Sequence, residues 1–188
     1  MGCYDSTMTF ARAALFGAVT FSAAIGGCHS RPPPEWAQGG SATQLGRARW
    51  ERGNDTVDLF PDGRVLVDGD TLWVIDPAGR VTDGDRDPVA VLFADGRLIG
   101  TDDQSLGIVG TMNASAPGAG SAWLTVAPSG EVVLYDTEGA RASGGGWSGC
   151  QGPLSRTCTL VTHLVVLREF QRRSRVGVGI GFGIGGRR

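Results

Sequence analysis

The sequence has no lysine: all seventeen basic residues are arginine. That bias reflects a GC-rich coding sequence rather than a chemical need, and it carries no functional weight. Histidine is nearly as scarce, with only His29 and His163, so any nucleophile–histidine pair in the body of the chain depends on His163. The stretch Gly146-Trp147-Ser148-Gly149-Cys150 lacks the last glycine of a nucleophile elbow, and no H-E-x-x-H, P-loop or Rossmann fingerprint occurs. The chain therefore reads first as non-enzymatic; a hydrolase using His163 is a lower-ranked alternative. No cofactor or metal is expected. Asp83-Gly84-Asp85-Arg86-Asp87 opens like a calcium loop, but Pro88 and Ala94 stand where an EF-hand needs glycine and a bidentate glutamate. Nucleic-acid-binding motifs are also missing. Glycine is plentiful, at 31 of 188 residues, but has no triplet period, and charged residues are 19 %. That composition describes a turn-rich globular chain, neither collagenous nor disordered.

A long hydrophobic run is absent too. Behind Arg12, the uncharged run from Ala13 to Gly27 is fifteen residues, about 22 Å as a helix, short of the roughly 30 Å hydrocarbon core. A signal-peptide h-region fits that length better than a membrane span. Asp5 suits a cationic leader poorly, and a start at Met8 would leave the cleaner head Met8-Thr9-Phe10-Ala11-Arg12. The run ends Ile25-Gly26-Gly27-Cys28, with an aliphatic residue at −3, small residues at −2 and −1, and cysteine at +1. This resembles the lipobox of bacterial lipoproteins over residues 1–28. The resemblance implies cleavage before Cys28, lipid on its sulfur, and a membrane partner reached through that lipid. His29 rather than aspartate follows the cysteine, which by the same resemblance points to the outer membrane. A rival pattern, Met1-Gly2-Cys3-Tyr4-Asp5-Ser6, fits N-myristoylation but leaves the apolar run unexplained. Residues 1–27 are thus expected as signal peptide and 28–49 as a lipid-anchored spacer, stiffened by Pro32-Pro33-Pro34 and loosened by Gly39-Gly40-Ser41.

Beyond the spacer roughly 140 residues remain, enough for one domain with a real core. Residues 50–140 alternate short apolar runs with turns of one kind: Pro61-Asp62-Gly63-Arg64, Pro77-Ala78-Gly79-Arg80, Ala94-Asp95-Gly96-Arg97 and Pro128-Ser129-Gly130-Glu131. Proline presets φ, aspartate or serine caps its own backbone, and glycine supplies positive φ, so each is a hairpin signal. Strands are predicted at 55–60, 64–67, 71–75, 88–93, 97–100, 106–110, 122–127 and 131–135. The fold class is all-β: an antiparallel meander of hairpins forming a small barrel or a sandwich, behind a signal helix and flexible linker.

Residues 141–188 differ in character but read as part of the same domain. Residues 46–140 hold seven Arg against thirteen Asp and three Glu; residues 141–188 hold eight Arg against Glu169 alone. Such an acidic body and basic tail can dock on each other, on an acidic partner or on anionic lipid. In an oxidising compartment Cys150 and Cys158, separated by seven residues, are the two thiols left to pair, predicting a disulfide hairpin. Residues 157–170, rich in Thr and Val, favour a long strand over a helix. Val176 to Gly185 alternates large residues with glycine at period two, which predicts a final strand whose bare face accepts a close neighbour. The leading function is a lipid-anchored envelope module that binds a protein partner or ligand. Trp50, Trp73, Trp123 and Trp147 are the tryptophans that could line a pocket, core filling being the expected use of most, with Trp73, Trp123 and Trp147 as candidate contacts. The second is an assembly component that oligomerises through the glycine-alternating tail.

Overall fold

The computed structural model describes residues 30–175. The segment expected as a signal peptide, Cys28, His29 and residues 176–188 with their expected final strand lie outside the described residues. Twelve antiparallel strands follow one another around a closed barrel, each paired with its neighbours in sequence, and β12 (Arg141–Ser148) closes onto β1 (Ala48–Arg52). The others are β2 (Asp55–Leu59), β3 (Arg64–Val67), β4 (Asp70–Ile75), β5 (Arg80–Asp83), β6 (Pro88–Leu92), β7 (Arg97–Gly100), β8 (Ser105–Val109), β9 (Asn113–Ser115), β10 (Leu124–Val126) and β11 (Glu131–Tyr135). The meander is therefore a barrel and not a sandwich. Four strands fall outside the expected set. β1, β5 and β9 are short and polar, and β12 carries three glycines in Arg-Ala-Ser-Gly-Gly-Gly-Trp-Ser. Neither composition signals a strand; each is extended because its neighbours need a partner.

All four predicted turns form, and the connectivity puts all four at the same end of the barrel, here called the top. In each, the glycine N–H bonds back three residues, as in Gly63 to Phe60 at 2.9 Å and Gly96 to Phe93 at 3.0 Å. The glycine φ values of 85°, 74°, 92° and 93° explain why no other residue suits Gly63, Gly79, Gly96 and Gly130. Each glycine carbonyl then accepts from the next strand: Ile75, Leu92, Val109 and Trp147. In three of the four turns an arginine follows the glycine and belongs to the same unit, whereas Glu131 follows Gly130. Arg64 pairs with Asp62 at 2.7 Å and lies 5.1 Å over the Phe60 ring; Arg97 repeats this with Asp95 at 2.6 Å and Phe93 at 5.2 Å. These arginines hold the Asp62 and Asp95 carboxyls below the usual range.

The strand expected over 157–170 is instead helical, part of α1 (Ser155–Arg175). The cause is tertiary. Eight strands already close around a lumen filled by side chains, so twelve leave space that something must occupy. The helix occupies it: every residue from Thr157 to Val165 is buried, so no polar face exists to reveal a helical period. The β-branched threonines fit because their hydroxyls are satisfied locally, Thr159 to the Ser155 carbonyl at 3.0 Å and Thr162 to that of Cys158 at 2.8 Å. At 21 residues α1 is about 32 Å long, whereas a five-residue strand rises about 17 Å. It enters at the top and emerges at the bottom, where residues 170–174 are exposed. Cys150 and Cys158 are bonded, but not across a hairpin: the bridge ties the end of β12 to the first turns of α1, with Cα atoms 6.1 Å apart.

The stretch expected as a spacer is packed on the barrel. Arg31 pairs with the Asp102 loop at the bottom, while Gly40, Ser41 and Thr43 bond Ala78, Leu92 and Pro77 at the top. Residues 31–43 thus form a strap along the outer wall that buries its own Pro33 and covers Val91.

Candidate binding site

A closed barrel offers no free strand edge, so with part of its wall covered by the strap the places to look for a cavity are its two ends and whatever the helix leaves unfilled. The helix is packed against β8, β9 and β10. On the opposite side, between β1–β4 and the second half of α1, a cavity of about 160 Å³ opens toward the bottom. Trp50, Val57, Val67, Leu72 and Val165 form an apolar floor; Arg52, Asp55, Asp68, Arg168, Glu169 and Arg172 surround the mouth. The size is close to a cavity of 150 Å³ that holds benzene, and below that of a drug-sized pocket.

Most mouth charges are already committed. The Arg52 guanidinium grips Glu169 with both terminal nitrogens, reaches Asp55 at 3.3 Å and lies 5.3 Å over the Trp50 ring. The Glu169 hydrogen bond raises the Arg52 pKa further. Asp68 accepts the Thr56 N–H at 2.8 Å. Arg168 and Arg172 make no ion pair among the described residues. Desolvation first, then repulsion from Arg172, lowers the Arg168 pKa. The acidic turns and the basic segment of the sequence therefore meet at one end. Asp55, Asp68, Asp70, Asp83, Asp102 and Asp136 lie at or beside the bottom turns, and the arginine-bearing tip of α1 emerges among them.

Of the expected site residues, Trp73 and Trp147 belong to the core and the half-buried Trp123 packs against it; none of the three lines the cavity. The Trp147 indole donates to Thr162 Oγ1 at 2.8 Å and Trp123 to His163 Nδ1 at 3.0 Å, while Trp73 packs in the barrel interior. The tryptophan that lines the cavity is Trp50, stacked on Trp147 with ring centroids 5.8 Å apart. His163 is fully buried, and its Nε2 bonds the Leu106 carbonyl at 2.7 Å. With Nδ1 accepting from Trp123, the ring is fixed as the neutral tautomer with hydrogen on Nε2; neither nitrogen reaches a hydroxyl or carboxylate. Asp83 spends one oxygen capping the N–H groups of Asp85 and Asp87, at 3.0 and 2.9 Å. No group of three or more metal-ligating side chains occurs among the described residues.

Sequence reasoning missed the cavity because its walls come from five separated elements. The hints were Trp50, one of the four tryptophans that could line a pocket, and Glu169, the single acid among the eight arginines of residues 141–188. Fold and site together define a closed twelve-stranded antiparallel barrel, plugged by its own C-terminal helix and open at one charged mouth. No protein family, curated protein or solved structure matches the chain.

Proposed function

We propose that this chain is an exported bacterial lipoprotein, anchored through Cys28 in the cell envelope, whose barrel is a non-enzymatic binding module for a small anion with an apolar body. The observation that carries the ligand class is the mouth itself. Above an apolar floor Asp55 and Glu169 share Arg52 and Asp68 accepts a backbone N–H, while Arg168 and Arg172 are the mouth charges with neither an ion pair nor a hydrogen bond among the described residues. An acyl or aromatic group on the Trp50 floor, with a carboxylate at the arginines, matches both halves. The lipobox-like Ile25-Gly26-Gly27-Cys28 supports the address. The buried Cys150–Cys158 bridge also suits an oxidising compartment. Outer-membrane placement follows from His29 after the cysteine.

Octanoate titrated into the barrel, followed by calorimetry and by Trp50 emission, is expected to bind at one site. Octylamine should bind at least tenfold more weakly. The Val57→Phe substitution, which fills the floor, should abolish binding, and R168Q/R172Q should weaken it about tenfold or more. Equal binding of amine and acid, or octanoate binding unchanged by V57F, would discard the ligand reading. For the anchor, the mature mass should begin at Cys28 and include acyl chains; Cys28→Ala should remove both the acyl mass and membrane attachment.

A further inference from the structure

From the way the strap begins, we infer that the anchored barrel stands with its bottom end, where α1 emerges, facing an anionic lipid surface. This orientation rests on lipidation of Cys28. Arg31 is held at the bottom by three contacts with one loop. Its N–H donates to Asp102 Oδ1 at 2.9 Å, its carbonyl accepts the Asp102 N–H at 3.0 Å, and its guanidinium pairs with Asp103. The loop is shaped for that grip: Asp102 and Asp103 both adopt left-handed backbone, with φ of 54° and 58°, a conformation aspartate tolerates better than most residues. Pro33, two residues on, is buried. Three peptide units separate Arg31 from Cys28, and an extended chain covers at most about 11 Å over that interval. A lipid on Cys28 therefore cannot leave the barrel free to turn on a long spacer; it draws the Asp102 loop down to headgroup level.

The rest of that end suits the position. The tip of α1 carries Arg172 and Arg173, and Phe170 is 53 % exposed beside Trp123. Cationic side chains with an exposed aromatic ring suit a headgroup layer. The other aspartate turns are repelled by the same lipids, so the helix tip and the Arg31-paired Asp102 loop make the contact while the rest of the rim stands off within roughly a Debye length. The cavity mouth opens at this end too, which brings the site within reach of anionic amphiphiles in the bilayer.

The test uses the full acylated chain in phosphatidylethanolamine–phosphatidylglycerol vesicles, with the photoreactive residue p-benzoylphenylalanine at position 170 or, at the top, at position 129. Lipid adducts are expected at least fivefold more often from position 170. Asp102→Ala with Asp103→Ala, which releases Arg31, should bring the ratio toward one. An acylated protein that labels equally from both positions overturns the orientation while leaving the anchor intact. A ratio unchanged by the double substitution overturns the clamp as its cause. A mature mass without acyl chains removes the anchor, and the orientation falls with it.

Discussion

His163 shows how one residue ties stability to pH. Both ring nitrogens are engaged, and Nδ1 is an acceptor, so a proton there would meet the Trp123 N–H head on. Burial lowers the His163 pKa from 6.5, only partly offset by the Leu106 carbonyl. The unfolded chain therefore binds this proton more readily than the folded one. The contribution is fully present above pH 6.5 and declines as the pH falls from there toward the lower folded value, by up to about 1.4 kcal/mol per pH unit. Urea titrations at pH 8.0, 6.5 and 5.0 should show the loss. His163→Gln should flatten it, because a glutamine amide can donate to Leu106 and accept from Trp123 without titrating. Gly107 is the backbone counterpart. Its φ is 114°, and an added Cβ would lie 2.2 Å from the Ser115 carbonyl oxygen and 3.0 Å from His163 Cε1. Gly107→Ala should cost at least about 2 kcal/mol in the same titration.

The decisive element is α1. Its Thr-Val composition favours strand, and an isolated peptide of that composition would be a poor helix. Inside a lumen its polar atoms must bond within the segment or to the wall, and the helix does both. Thr157 Oγ1 donates to the Gln44 carbonyl at 2.6 Å, and Thr162 accepts from Trp147. The Thr162→Val change should cost about 1–3 kcal/mol by stranding the Trp147 N–H. The disulfide fixes where the helix starts. Replacing both Cys150 and Cys158 with serine should lower stability by about 2–3 kcal/mol in the chain-entropy description of so short a loop. The glycine turns are the opposite case: they depend on residues adjacent in sequence, and all four were legible. The arginine after the glycine was not, because its partners Asp62 and Phe60 show themselves only once the turn has folded.

At the scale of the whole molecule, barrel and helix are one cooperative unit. A chain ended at Ser148 keeps every strand but loses what fills the lumen. It should lack the dispersed amide NMR spectrum of a folded barrel, whereas a chain ended at Arg175 should retain it. The strap adds a third layer on the outer wall, where it seals Val91 and carries the chain from bottom to top. It also converts residues that read as a free spacer into part of the fold.

Local chemistry decided the turns, the eight clearest strands and the pairing of two cysteines, since each depends on residues within a few positions of one another. The closed barrel, the helical state of residues 155–175 and the docking of the strap depend on partners far along the chain. So does the cavity, whose lining runs from Trp50 to Arg172. Residues 157–165 look the same in sequence whether they are to be a buried strand or a buried helix, because every side is apolar or self-satisfied. The twelve-strand circumference chose between them, since a lumen that wide is filled by a helix and not by a single strand.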